Sequence, residues 1–517
     1  MNERLAAAFA LLPEYLGWHV LLSASSLLLG VLISLPLAVA ASRSPRLRWP
    51  VLAGASLIQT IPSLALLALF YPLLLAISSL SKAWFGQGFS ALGFLPSLLA
   101  LTLYSMLPIL RNGAAGILGI DPAVREAADG VGMTPRQRLF QVELPLAAPV
   151  VMAGIRTAAV WTIGAATLST PVGQTSLGNY IFAGLQTENW VFVLFGCAAS
   201  AVLALVADQL LGLVEAGARL RKPMLSILGA TGLAVGVAVA LLPLAGFGKP
   251  ATYVVGAKNF SEQYILAELM ADRLQRAGGE VRRKEDLGSA VAYRALAAGE
   301  LDVYVDYSGT LWTNVLGRKD NPGRAEVLKQ LTAELKRRDG VTVLGSLGFE
   351  NAYAFVMRPD RAQALGVATL ADLARVAPRL TLGSDLEFLS RPEWKAVDAA
   401  YGLGFKTKRS YQPTFMYRAL SGGEADVISA FSSDGRIAAD KLVILKDPKG
   451  AIPPYDAVVL VSPKRAADRR LIAALQPLIG AIPVEAMQAA NYSVDRDQEK
   501  LSPVEAARAM EAAIPAR

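Results

Sequence analysis

Two stretches of this 517-residue chain, RALAAGELDV (294–303) and RALSGGEADV (418–427), agree at seven of ten positions. Each delivers an aromatic residue at the same distance: Tyr307 stands five residues after Asp302, and Phe431 five after Asp426. A looser echo joins NAYAFVMRPD (351–360) to PPYDAVVLVSP (453–463) and adds Tyr353 and Tyr455. Repetition of this kind marks a duplicated structural unit, here two similar lobes that face one cleft. Side chains able to do covalent chemistry are scarce by comparison. The single histidine, His19, and the single cysteine, Cys197, both sit in apolar runs without a partner for metal ligation or nucleophilic catalysis. A lone cysteine excludes an intrachain disulfide, and no G-x-x-x-x-G-K-[ST] phosphate loop occurs. The chemistry on offer is recognition, and the chain is not itself an ATPase.

The elements that must hold these aromatics follow from about residue 250. Apolar stretches at 252–257, 301–306, 353–358, 381–385 and 426–431 read as strands separated by helical segments, an α/β domain of roughly 265 residues. Lys258-Asn259-Phe260 links the first strand to a helix expected to be N-capped by Ser261, a geometry that aims backbone N–H groups at an anion.

The first half has another texture. Hydrophobic residues make up 53% of the chain and concentrate before residue 250. Runs at 15–42, 49–81, 83–110, 144–187, 189–207 and 223–248 predict six transmembrane helices. The fourth run exceeds one span, so its second part should be re-entrant or lie at the surface. Arg43, Arg46, Arg48, Arg111, Arg125, Arg136, Arg138, Arg219, Arg221 and Lys222 fall in one set of loops, which places those loops in the cytoplasm and both termini outside. The net charge of +8 is thereby explained without a nucleic-acid-binding patch. Arg156 and Asp208 fall near span ends, where snorkelling to the interface is the ordinary account. The last run would tether the α/β domain outside the membrane, with no need of a cleavable signal peptide.

Between the third and fourth runs lies EAADGVGMTPRQRLFQVELP (126–145). Glu126-Ala127-Ala128, then Gly132, then Val142-x-Leu144-Pro145, resembles the EAA segment of ABC-importer permeases. In that family it is a cytoplasmic helix pair that docks into the ATP-hydrolysing subunit. Ala127 and Ala128 would permit close helix approach, Gly132 a sharp turn, and Pro145 the start of the next helix.

The resemblance extends over nearly the whole chain. GAKNFSEQYILAELMADRL (256–274), DVYVDYSGT (302–310), LGFENAYAFVMR (347–358), SSDGRI (432–437) and PPYDA (453–457) are similar to the binding proteins of osmoprotectant ABC importers, and GIRTAAVWTIGAATLSTPVG (154–173) to their membrane subunit. This implies an all-α polytopic domain of the type I importer permease class followed by a two-lobed α/β domain of the type II periplasmic-binding-protein class. The expected divisions are a permease over 1–222, a tether over 223–250 and an extracytoplasmic binding domain over 251–517. Glycine betaine, carnitine and choline are the ligands of such proteins. By the same resemblance Tyr307, Tyr353, Phe431 and Tyr455 form an aromatic cage for a quaternary ammonium group, with Phe431 in place of the usual tyrosine. Lys258, Thr310 and Arg391 fall at the carboxylate-binding positions, which favours betaine zwitterions over choline. The family also implies two copies of a cytosolic ATP-binding subunit that uses ATP and Mg²⁺, no cofactor in this chain, a homodimer, and a bacterial cytoplasmic-membrane location. Two other readings stand beside it. A polar amino acid importer would need an acidic partner for the α-ammonium, for which Asp306 is available. A tethered bilobed ligand sensor would have no use for the EAA segment.

Overall fold

Prolines and glycines, rather than charges, set the helix boundaries in the first half. In the computed structural model, which describes residues 3–514 apart from 86–88, 90, 188, 247–251, 319, 386–387, 412 and 497–498, the chain divides into two units. One comprises Met1–Gly184 and Trp190–Gly248, the other Lys249–Arg517 with Leu185–Asn189. Six helices among the described residues are long and apolar enough to cross a membrane: Leu5–Arg43, Ser63–Phe85, Phe94–Leu118, Pro135–Val172, Trp190–Leu220 and Pro223–Leu244.

The number agrees with the sequence reading, but two boundaries move. The expected run 49–81 is broken in two, α2 (Pro45–Thr60) following α1 (Glu3–Arg43), and α3 (Ser63–Phe85) beginning after Pro62. Ile61 is extended, with φ −74° and ψ 126°, as the steric demand of the following proline requires. The next span, α4, is Phe94–Leu118 rather than 83–110, entered through Gly93 at φ +75°.

After α4 comes the short helix α5 (Pro122–Gly130), N-capped by Asp121. Gly132 makes the expected turn at φ +81°. Thr134 and Gln137 then form a capping box that starts α6 (Pro135–Arg138), which passes through a π-turn (Leu139–Glu143) into α7 (Leu144–Ala166). Pro145 does stand in the first turn of α7, yet the chain is already helical ten residues earlier. The π-turn sits where proline has no N–H to give the carbonyl four residues back. Ala128 is buried, whereas Glu126, Ala127 and Pro145 are exposed and Leu144 is half-buried.

The far end of this run is not at the surface. A 3₁₀ turn (Thr167–Val172) leads to α8 (Gly178–Gln186), and Ser176, Leu177 and Tyr180 are fully buried. Gly178 is required there, because a Cβ would lie 1.9 Å from the Thr167 carbonyl oxygen. His19 serves this turn: its Nε2 lies 3.0 Å from the Ile163 carbonyl oxygen and its Nδ1 accepts from the Leu177 N–H at 3.3 Å. Helices α9 (Trp190–Leu220) and α10 (Pro223–Gly246) complete the unit.

Arg156 stands midway along α7 rather than near a helix end. It is locked to α9, with Nε and Nη2 donating to the two oxygens of Asp208 at 2.9 and 2.8 Å and Nη1 donating to Glu215 at 2.7 Å. Because α9 runs on to Leu220, Asp208 lies ~18 Å from its end, not beside it as the shorter expected run implied.

Among the described residues, the second unit is built on two five-stranded sheets of matching design. The first has the order β2-β1-β3-β10-β4, from Tyr253–Lys258 (β1), Val281–Leu287 (β2), Val303–Tyr307 (β3), Thr342–Glu350 (β4) and Asp456–Val461 (β10). The second has the order β7-β6-β8-β5-β9, from Tyr353–Met357 (β5), Thr381–Ser384 (β6), Thr407–Ser410 (β7), Val427–Phe431 (β8) and Val443–Ile444 (β9). The first three strands of each order run parallel; the fourth, β10 or β5, is antiparallel to its neighbours. Every residue of β3, β5 and β10 is buried, as expected of strands covered on both faces. The sequence echo maps onto this symmetry. The first repeat feeds β3 and β8, both third in order, and the looser one feeds β5 and β10, both fourth.

Candidate functional site

In a sheet of this kind the carboxyl ends of parallel strands open onto a crevice. Lys258 ends β1, Tyr307 ends β3 and Phe431 ends β8, while Asp385 follows β6. The antiparallel strands present their opposite ends at the same edge, so Tyr353 opens β5 and Tyr455 immediately precedes β10. The register pairs Tyr353 with Phe431 and Ala457 with Tyr307. All seven residues singled out in the sequence (Lys258, Tyr307, Thr310, Tyr353, Arg391, Phe431 and Tyr455) line one cavity of about 270 Å³, a small-metabolite scale.

Three of the rings form a cluster. Tyr353 lies 4.8 Å from Phe431 and meets Tyr455 edge-on at 6.1 Å, with Phe388 behind it at 4.6 Å. Tyr307 instead stacks at 6.2 Å with Phe260, another ring on the cavity wall. Two rings already carry cations of the protein itself. The Lys258 ammonium sits 4.7 Å from the Tyr307 centroid, and the Arg391 guanidinium 5.5 Å from that of Tyr353.

Both cations are paired. The Lys258 ammonium meets Asp306 at 2.5 Å, both groups being buried. Arg391 donates from Nε and Nη2 to Glu393 at 3.2 and 3.1 Å, and the Tyr455 hydroxyl donates to the same carboxylate. Burial alone would raise the Glu393 carboxyl; the Arg391 hydrogen bond and charge outweigh it and hold the group below its usual range. Asp306 is therefore engaged with Lys258 and also accepts from the Tyr304 hydroxyl at 2.6 Å.

The helix after β1, α11 (Ser261–Arg276), departs from the expected cap. Ser261 is its first residue, Phe260 is the cap position, and the Ser261 hydroxyl donates to Asp495 at 2.5 Å. Carboxylates of the protein itself thus surround the N-terminus that was expected to face an anion. Glu262 accepts from the Tyr307 hydroxyl at 2.5 Å and from the amides of Asn351 and Asn491 at 3.1 Å each. Asp434 accepts from the Tyr417 hydroxyl at 2.5 Å. Sequence reasoning missed Phe260, Glu262, Glu393, Asp434 and Asp495. Glu393, two residues beyond Arg391, was findable as its pairing partner; Asp434 and Asp495 come from segments with no common period.

Burial pushes the Asp434 carboxyl up to about 6 and that of Asp495 up to about 7. The unfolded chain ionises both near 4, so between pH 4 and 7 the folded state binds more protons. The stability they contribute is full below pH 4, falls as pH rises through 6 and 7, and is level above. The amount is on the order of a few kcal/mol. Thermal unfolding of the 250–517 fragment at pH 5 and pH 8 should show this loss, and Asp434→Asn with Asp495→Asn should shrink the difference between the two pH values.

Comparison with known proteins agrees over both units. Residues 251–510 match the family model described as the substrate binding domain of ABC-type glycine betaine transport systems, and residues 30–220 that of the binding-protein-dependent transport system inner membrane component. The chain is 28% identical over 490 residues to the ergothioneine transport permease/ergothioneine binding protein EgtU of Helicobacter pylori (strain G27), covering 91% of this chain and 84% of that one. It is 40% identical over 197 residues to the choline transport system permease protein OpuBB of Bacillus subtilis (strain 168), covering 38% of this chain and 83% of that one. A solved structure of a glycine betaine/carnitine/choline ABC transporter aligns with a TM-score of 0.45 at 28% identity, over 50% of this chain and 98% of that one.

Proposed function

Because the chain belongs to the family of ABC-type glycine betaine transport systems and joins its inner membrane component to its substrate binding domain, we propose that it is the membrane subunit and tethered receptor of an ATP-driven importer of betaine-type zwitterions. The observation that carries this reading is the convergence of aromatic rings from both lobes, with Arg391, on one cavity. A trimethylammonium group donates no hydrogen bond, so its attraction must come from ring faces and apolar contact with its methyls. Tyr353 and Phe431 supply that environment from the second sheet, and Tyr307 and Tyr455 from the first. The ligand carboxylate goes to Arg391, whose planar guanidinium suits bidentate pairing, and to the Thr310 hydroxyl. Lys258, held by Asp306, acts through its charge rather than as a direct clamp.

The two lobes close on the ligand as a hinge, since each brings part of the cage. The permease occupies 1–222, the tether 223–250 and the extracytoplasmic receptor 251–517, in a bacterial cytoplasmic membrane. As an importer component the chain works with an ATP-binding partner. Two copies of that partner, using ATP and Mg²⁺, would act on a homodimer of this chain through Glu126, Ala127, Ala128, Gly132, Leu144 and Pro145.

A second ligand is favoured by one observation: the Helicobacter pylori relative matches through both halves of the chain. Ergothioneine is itself a trimethylammonium betaine, with a ring in addition, so the same cage and clamp would serve it. Calorimetric titration of the 250–517 fragment with glycine betaine, ergothioneine, choline and glutamine decides among these. Binding of either betaine with weak or absent choline binding is the expected result. Choline binding as tight as the betaines would remove the clamp and keep the cage; glutamine binding alone would overturn the ligand class.

A further inference from the structure

At one end of the membrane unit a single carboxylate gathers three arginines. Glu143, the last residue of the π-turn, is 3% exposed. Arg43, from the last turn of α1, reaches its Oε2 at 3.1 Å. Arg125, from α5, and Arg138, from the end of α6, approach its Oε1 at 3.6 and 3.4 Å. The arginines extend the link outward. Arg138 also donates to both oxygens of Asp129 on α5 at 2.6 Å, and Arg125 donates to the Ile117 carbonyl in the last turn of α4. One buried anion thus joins α1, α4 and α5 to the start of α7.

Its place in the chain gives this cluster its meaning. Helix α5 carries Glu126 and Ala128, and after the turn at Gly132 the polypeptide becomes the continuous helical run that enters the membrane as α7. A short helix joined to its neighbours by one flexible turn would tilt alone when pushed. Ion pairs to a buried common partner resist that tilt, because moving an arginine away leaves the charge of the buried Glu143 carboxylate less compensated.

We propose that Glu143 is a positioning residue that locks the coupling helix α5 to α1 and α7, so that movement of α5 by the ATP-binding partner is passed to the membrane helices. This rests on the importer reading above. The test uses the full chain assembled with its ATP-binding subunit in liposomes, measuring betaine binding, ATP hydrolysis and betaine uptake together. Glu143→Gln keeps volume and removes charge. The expected result is unchanged binding, sustained hydrolysis, and about tenfold more ATP consumed per betaine imported, with partial rescue by Glu143→Asp. A wild-type ratio of ATP to betaine in Glu143→Gln would overturn the proposal. Should that variant fail to assemble, Arg43→Gln, which removes only the α1 link from a half-exposed side chain, is read by the same ratio, and an unchanged value overturns the proposal equally. Absence of ATP-driven uptake by the wild-type chain would overturn the importer reading, and this proposal with it.

Discussion

Replacing Tyr353 by alanine is expected to abolish betaine binding to the receptor half. Tyr353 touches the rings of Phe431, Phe388 and Tyr455 and lies under the Arg391 guanidinium. Its removal takes away one cation–π face and also the surface that keeps two other rings in place. Each desolvated cation–π contact contributes roughly 1–2 kcal/mol, so losing one and disordering two weakens binding by about 100-fold or more, at 1.4 kcal/mol per tenfold. Tyr353→Leu separates the causes. It keeps most of the packing volume and lacks the π face, so a Leu variant nearly as defective as Ala assigns the loss to the ring. Calorimetry with glycine betaine reads both, and unchanged affinity in the alanine variant would remove Tyr353 from the cage.

The second large effect is expected where binding is untouched. Glu126→Lys combined with Gly132→Leu should leave ligand affinity at the wild-type value and lower uptake by at least about tenfold. Glu126 is exposed on α5, free to meet another protein surface. Gly132 has open space where a Cβ would stand, so its requirement is conformational: at φ +81° a side chain costs about 1–2 kcal/mol. The strain would rotate α5 away from the capping box at Thr134. Radiolabelled betaine uptake into vesicles, beside titration of the same protein, measures both quantities. Persistent uptake would show that 126–145 is not the coupling segment.

How far the sequence alone reached depends on the kind of signal. The internal echo was legible because duplication preserves offsets, and those offsets became equivalent strands: Tyr307 and Phe431 at the ends of β3 and β8, Tyr353 at the start of β5 and Tyr455 just before β10. Six spans were legible from hydropathy, but their edges were not, since Pro62 interrupts an uncharged run that a charge criterion reads straight through. The pairing of Arg156 was illegible for another reason. Its partners Asp208 and Glu215 lie 52 and 59 residues away, and no local pattern announces a contact between helices. The acids around the cavity were hidden likewise: Glu262, Asp434 and Asp495 meet only through the closure of the two sheets.

The covalent join between α10, ending at Gly246, and β1, starting at Tyr253, changes the kinetics that an importer of this kind can have. A freely diffusing receptor must find its permease, and its delivery rate follows its abundance. A receptor joined in one chain to its permease meets it as an intramolecular event, at an effective concentration in the millimolar range. A docking interface too weak to hold a diffusing receptor then suffices, and each permease half carries a fixed stoichiometry of one receptor. Such a machine trades amplification by surplus receptor for a delivery step that does not depend on receptor expression.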